Sequence, residues 1–275
     1  MTRVRQRFTL LGCGSSPGVP RINGDWGACD PNNPKNRRSR ASLLIEQFGE
    51  DGGSTTVVVD TGPDFRDQMI RAAVERLDAA VYTHSHADHL HGIDDLRGYI
   101  IVQRMRMPIY ADAPTMARLR EGFRYCFERP DGSEYPPILT PHLLEGPGHA
   151  VTIDGAGGRL SLLPFEQLHG SITSLGFRVG DVAYCSDVSG FPDNTVELLQ
   201  GLDVLIIDAL QYRTHPSHFS LGEALAWIER LQPARAILTH MHIPLDYDTV
   251  CEETPDRVEP GYDMMTFEQT VEISP

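Results

Sequence analysis

The chain has one lysine among its 275 residues, Lys35, so its positive charge comes almost wholly from arginine. Acidic residues outnumber basic ones, and the net charge is −14. That balance argues against a protein that coats nucleic acid or an anionic membrane. An anionic small substrate stays open, because bound cations reverse the local sign. Cysteines are few: Cys13, Cys29, Cys126, Cys185 and Cys251 are odd in number, widely spaced and free of any C-x-x-C, which is no disulfide framework. Long apolar runs are missing too. The opening MTRVRQRFTLLGCGSS carries only Phe8 to Leu11 as an apolar stretch, too short for a signal peptide or a membrane span. A cytoplasmic chain with no membrane partner is the expectation. No fixed repeat period appears, and 40% hydrophobic residues suffice for a globular core.

What the sequence does hold is a series of short β-branched runs that end in a chemically capable residue. TTVVVD ends at Asp60, LDAAVYTH at His84, RLSLLPFEQLH at His169, DVAYCSD at Asp187, LDVLIID at Asp208 and ARAILTH at His240. Bounded by Gly, Asp or Pro, these runs predict buried strands. Helical spacing fits residues 63–77, and most clearly Ser220 to Leu231, where Ser220 and Glu223 stand at capping-box positions. Alternating strands and helices predict an α/β architecture, with ligands outside the carboxyl ends of strands. A site fed by many strands, from Asp60 to His240, predicts a single domain over residues 1–275. Residues 15–40 form a Gly- and Pro-rich loop whose Lys35, Arg37, Arg38 and Arg40 read as a basic patch, either solvated or phosphate-binding. Residues 118–148 read as an inserted helix plus loop near the site mouth, either a lid or packed aromatics.

The segment YTHSHADHLHG concentrates the chemistry. His84 and His86, two apart after a strand, suit one ion. Asp88 and His89 then face a second, the pairing used for two-metal hydrolysis. His91 lies one step beyond the pattern. His142 and His149, among Pro and Gly, read as exposed, His215 as a loop residue, and Cys185 as a buried strand residue.

H-x-H-x-D-H after a strand, followed in order by the segments ending at His169, Asp187 and His240, resembles the metallo-β-lactamase-fold hydrolases over essentially the whole chain. The resemblance implies a four-layer αβ/βα sandwich holding two divalent ions, Zn or Mn. His84, His86 and His169 would hold one; Asp88, His89 and His240 the other; Asp187 both. Asp60 would brace the ligand loop without touching an ion. Water activated between the cations would be the nucleophile, with Asp88 or Asp187 orienting it.

Within that superfamily, HPSHFSLGEAL places His218 before a capped helix, where phosphodiesterase branches carry a histidine that contacts the scissile phosphate and protonates the leaving oxygen. The Gly-rich start LLGCGSSPGVPRINGDWGACD resembles the same branch, which includes phosphoribosyl 1,2-cyclic phosphate phosphodiesterases and transfer-RNA 3′-processing endonucleases. Two departures stand out. Only Cys29, beside Asp25 and Asp30, remains of the family's structural-zinc cysteine cluster, with His242 off the family spacing. Asp208-Ala209-Leu210 also replaces the H-E-A-T stretch of the transfer-RNA enzymes, and no basic arm is present, so no large nucleic acid is expected. The expected reaction is hydrolysis of a small phosphodiester: a cyclic nucleotide, a cyclic sugar phosphate or a short oligonucleotide. Asp88 and His218 are the catalytic candidates, and His218, Ser189, Arg21 and His242 the substrate contacts. The alternatives are a lactone or thioester hydrolase on the same fold, or a non-catalytic nucleotide binder. The sequence leaves a homodimer open.

Overall fold

The computed structural model describes residues 2–273. It contains two seven-stranded mixed sheets with helices. The first draws on β1 (Thr2–Gly12), β2 (Ser42–Phe48), β3 (Ser54–Val59), β4 (Ala79–Val81), β5 (Met107–Ala111), β6 (Leu139–Leu143) and β14 (Met265–Ile273), in the order β14-β1-β2-β3-β4-β5-β6. The second draws on β7 (Val151–Ile153), β8 (Leu160–His169), β9 (Ile172–Val179), β10 (Val182–Cys185), β11 (Val204–Asp208), β12 (Arg235–Thr239) and β13 (Val258–Pro260), in the order β13-β12-β11-β10-β9-β8-β7. The helices are α1 (Phe65–Arg71), α2 (Ala87–Leu90), α3 (Arg97–Gln103), α4 (Ala113–Gly122), α5 (Arg124–Phe127), α6 (Asp193–Leu198), α7 (Leu221–Leu231) and α8 (Tyr247–Glu253). The chain divides into two compact units. One comprises residues 2–11, 42–161 and 266–273, the other residues 12–41 and 162–265.

The six β-branched runs are all strands, as their composition predicts. In the first unit β3, β4 and β5 run parallel, with the buried Val57–Val59 and Ala79–Val81 in register. In the second, β10, β11 and β12 run parallel with buried Leu205–Ile207 at the centre. Parallel strands are covered on both faces, which is why these runs are continuously apolar rather than alternating. Helix α7 starts where its capping box places it: the Glu223 amide donates to the Ser220 hydroxyl, and the Glu223 carboxylate accepts from the Ser220 amide.

Three readings need correction. Helix α1 stops at Arg71 rather than running to Leu77, because Ala73 turns left-handed (φ 52°) and its amide bonds back to Ile70. Leu77 is buried, but in the connection to β4. The helix in the 118–148 segment begins earlier, at Ala113, capped by the Asp112 carboxylate accepting from the Thr115 amide, and the segment closes as edge strand β6. Nor is the early loop simply solvated. Arg38 is fully buried, its guanidinium donating to the Asn36 side-chain oxygen at 3.3 Å and lying 3.9 Å from the Cys29 sulfur. The lone lysine, Lys35, sits over the rings of Tyr247 and Tyr262.

Candidate metal centre

In the first unit the site grows from the carboxyl ends of β3 and β4. Strand β3 delivers Asp60 in a left-handed conformation, φ 66°. Its buried carboxylate accepts from the Thr83 amide (2.8 Å), the Thr83 hydroxyl (2.8 Å) and Nδ1 of His89 (2.7 Å). Burial pushes the Asp60 pKa up, against the pull of His89 and Thr83. These bonds settle two tautomers. An ionised Asp60 only accepts, so His89 carries its proton on Nδ1 and presents the Nε2 lone pair. The Thr83 hydroxyl spends its proton on Asp60 and therefore accepts from His84 Nδ1 at 3.0 Å, which leaves His84 Nε2 as the lone pair. His84 Nε2 and His86 Nδ1 stand 2.9 Å apart, the spacing of neighbouring ligand atoms around one ion. Asp88 Oδ2 is 3.4 Å from His89 Nε2. The loop is pinned from below: the Thr61 amide donates to the His89 carbonyl and the Gly92 amide to the Thr61 carbonyl. A side chain at Gly92 would meet the Gly62 carbonyl oxygen at 2.2 Å, so only glycine fits this approach.

In the second unit β8 and β11 end at site residues, β10 and β12 end one or two residues before theirs, and the parallel register of β10, β11 and β12 brings their carboxyl ends to one edge. Asp187 and His240, one or two residues past their strands, are both left-handed at φ 56°. Asp187 Oδ1 lies 3.3 Å from His240 Nε2 and 4.0 Å from His169 Nε2. His169 Nδ1 donates to the Ser217 carbonyl at 2.7 Å, so its Nε2 is also the lone pair. The Ser186 hydroxyl donates to Asp187 Oδ2. His218 stacks on His240 with ring centres 4.7 Å apart and meets His169 edge-on at 4.8 Å. Two groups form here, His169–Asp187–His218 and Asp208–His218–His240, each with candidate ligand atoms within 4.8 Å of one another.

Asp208 is the residue that sequence reasoning left out of the site. It is fully buried, and its Oδ2 accepts from His218 Nδ1 at 2.7 Å and from the Val188 amide at 3.0 Å. Burial raises its pKa, and His218 opposes that shift. The available signal was its place at a strand end, like the residues that were chosen.

The other candidates also have definite places. Arg21 donates to His242 Nε2 at 2.6 Å, so His242 carries its proton on Nδ1 and donates to the Ser15 hydroxyl at 2.8 Å. Burial and the Arg21 charge push the His242 pKa down to about 4, which keeps the ring neutral. Arg21 also pairs with Asp25 at 3.2 Å. The Ser189 hydroxyl donates to the Leu168 carbonyl at 3.1 Å. Cys29, all that remains of the family's zinc cluster, turns its sulfur to the Ile243 and Leu245 carbonyls, both at 3.4 Å. His142, on edge strand β6, and His149 are exposed, as expected; His91 and His215 are exposed as well, and Cys185 is buried.

The donor set suits hard-to-borderline divalent cations. It offers imidazole and carboxylate with no thiolate, and the orienting bonds leave Nε2 of His84, His89 and His169 as acceptors. In the second unit the buried carboxylates of Asp187 and Asp208 add negative charge that a cation would balance.

The comparisons with known proteins agree. The model of a beta-lactamase superfamily domain matches residues 55–241. The crystal structure of a diphosphatase from the PhnP family is 32% identical, with a TM-score of 0.87, covering 98% of this chain and 99% of that one. Two more distant structures share the fold. Zn2+-bound PqqB from Methylobacterium extorquens is 15% identical with a TM-score of 0.73, covering 95% of this chain and 99% of that one. The short form of human tRNase Z is 18% identical with a TM-score of 0.64, covering 95% and 98%. An octanoyltransferase of Porphyromonas gingivalis is 31% identical over 261 residues, 94% of this chain; the chain spans about half the length of that curated relative. No helix among the described residues is long and apolar enough to cross a membrane. With the strand-end histidines and aspartates in place, the chain belongs to the β-lactamase superfamily, with the metallo-β-lactamase fold of divalent-metal hydrolases, on the phosphodiesterase branch that includes the PhnP family.

Proposed function

We propose that the protein is a metal-dependent phosphodiesterase acting on a small phosphodiester, such as a cyclic nucleotide, a cyclic sugar phosphate or a short oligonucleotide. Following the family's ligand pattern, His84, His86 and His169 would hold one divalent ion; Asp88, His89 and His240 would hold a second; Asp187 would serve both. Zn and Mn fit the donors equally. When bound, the pair supplies Lewis acidity for the phosphoryl oxygens and lowers the pKa of water.

The observation that carries the reading is His218. Its Nδ1 is held by Asp208, and its ring lies against His240 and His169, so its Nε2 edge is the one left to act. It is 9% exposed where His240 is 1%. An imidazole so oriented can hold a proton on Nε2 and hand it to a departing alkoxide, while its charge steadies the phosphoryl oxygens. Asp88 is the residue we assign to orienting the attacking water. Ser189, Arg21 and His242 are the further substrate contacts, with Arg21 anchored by a neutral histidine. The PhnP-family relative, a diphosphatase, favours phosphoryl chemistry.

A second reading follows from the octanoyltransferase relative, whose name is of acyl chemistry: hydrolysis of a lactone or thioester. Hydrolysis of bis(p-nitrophenyl) phosphate by metal-stripped protein, then after adding zinc or manganese, separates the two. Metal-restored turnover with no gain on a parallel lactone supports the phosphodiesterase; the reverse pattern supports the acyl hydrolase.

A further inference from the structure

Ser217 stands between three imidazoles. Its carbonyl accepts from His169 Nδ1 at 2.7 Å. Its amide donates to His215 Nδ1 at 3.4 Å, and its hydroxyl lies 3.2 Å from the same nitrogen. His218 follows it in the chain, and the ring centres of His218 and His215 are 5.3 Å apart. Gly170 lets the turn between β8 and β9 close on this segment, because a Cβ there would meet Cβ of Ser217 at 2.9 Å. His218 lies against the ligand candidates His240 and His169. His215 lies against His218 and is exposed.

The anchors of these two neighbouring rings differ in kind, and that decides which protons they carry. A backbone amide can only donate, so His215 Nδ1 is a lone pair and the ring proton sits on Nε2. The Ser217 hydroxyl then donates to Nδ1 as well. A second proton on His215 would break both bonds, so this ring is held neutral. His218 Nδ1 instead faces the Asp208 carboxylate, which stabilises the charged ring. Two charged imidazoles side by side would repel each other; with these anchors one ring can take the charge and the other is a fixed neutral donor. Among the described residues His215 makes its hydrogen bonds through Nδ1, so the Nε2–H is not spent.

We propose that His215 is a further substrate-binding residue, whose Nε2–H donates to an anionic phosphoryl oxygen beside the oxygen that His218 protonates. The assignment rests on the phosphodiesterase reading of the site. A neutral imidazole is too weak an acid to give up its proton, but it polarises an oxygen by hydrogen bonding. His215 therefore binds the phosphate without competing with His218 as the general acid. A hydrogen bond to a charged oxygen also contributes more than one between neutral groups.

Isothermal titration of the zinc-loaded chain with inorganic phosphate tests this without turnover. His215→Phe keeps a ring against His218 and removes the donor. Its phosphate affinity should fall about tenfold or more, the effect of losing a hydrogen bond to a charged group. His215→Gln restores an N–H and should recover part of the loss. Ser217→Ala removes one anchor of His215, keeps the carbonyl that holds His169, and should fall between. With bis(p-nitrophenyl) phosphate as substrate, the loss in His215→Phe should appear in KM, whereas the loss in His218→Ala appears in kcat. Proton–nitrogen correlation spectra of the zinc-loaded wild type should show His215 protonated on Nε2 at pH 7, with that nitrogen shifting when phosphate is added. This spectrum decides the matter if a variant fails to fold. A His215→Phe protein that binds phosphate like the wild type overturns the proposal, and so does a loss confined to kcat, which would leave His215 only packing on His218. A His215 ring protonated on Nδ1, or one that phosphate does not shift, overturns it too. A wild type that binds phosphate through His215 yet leaves the diester intact would instead overturn the phosphodiesterase reading and keep His215 as an anion-binding residue.

Discussion

His218 Nδ1 lies 2.7 Å from Oδ2 of Asp208, and both side chains are buried. The carboxylate fixes which imidazole nitrogen carries the proton and which faces outward. Replacing Asp208 with Asn keeps the size and removes the charge. The expected outcome is a fall in kcat of roughly two to four orders of magnitude, the range for a misoriented general acid, with KM nearly unchanged. His218→Ala should lose a similar factor. The double variant should lose little more than either single one, because the pair acts as a unit. Additive losses in kcat would break the link between the two residues.

Asp60, Asp187 and His240 all stand at strand ends with φ between 56° and 66°. A residue with a Cβ pays about 1–2 kcal/mol for that conformation, and such strain gathers at functional sites. Asp187→Ala should abolish phosphodiesterase activity while the chain stays folded. Asp187→Gly should be equally inactive yet melt above Asp187→Ala, by about 2–4 °C for each kcal/mol regained in a chain of this size. Calorimetry of the two variants checks the strain. Unchanged turnover in Asp187→Ala would sink the ligand assignment.

Much of this architecture was legible in the order of residues, and the exceptions share a cause. Strands β3, β4, β10, β11 and β12 announce themselves as apolar runs because each has a parallel neighbour and is buried on both faces, whereas β8, antiparallel to β9, alternates in burial. Helix α7 announces itself through Ser220 and Glu223, a signal within four residues. What escaped depends on partners far along the chain or on backbone atoms that sequence does not display. Arg38 reads as a solvated charge, yet it is buried with Cys29 and with Asn36, whose oxygen also accepts from the Tyr247 amide. Asp208 reads as one more strand end until its hydrogen bond to His218 is seen. The His169 tautomer is set by the Ser217 carbonyl, and no motif carries a carbonyl.

In the proposed centre, the role of Asp60 is to orient its neighbours. Its carboxylate holds Thr83 and His89, and Thr83 in turn holds His84. Asp60→Asn should therefore weaken metal affinity by about 10- to 100-fold, the usual effect of losing a partner behind a ligand. Saturating metal should recover most of the turnover. Competition against a chelator reads the affinity directly. An unchanged affinity would reduce Asp60 to a structural role.

Asp246 supplies the pH dependence. Its carboxylate caps α8 by accepting from the Thr249 amide at 3.1 Å, and it ties down the early loop by accepting from the Asp30 amide (3.0 Å) and the Asn36 side chain (2.6 Å). Burial alone would raise its pKa, but these donors outweigh it and hold the group below the usual carboxylate range. The folded pKa is thus lower than the unfolded value of about 3.9. The ionised form stabilises the fold above that value, and the contribution is lost as pH falls through the folded pKa. Asn at position 246 would still cap the helix but could not ionise. Wild type should therefore exceed Asp246→Asn in stability at pH 7, and the difference should close below about pH 4. Urea midpoints for both proteins across that range measure it. A difference that stays constant with pH would mean that the hydrogen-bond geometry, not the charge, is what Asp246 contributes.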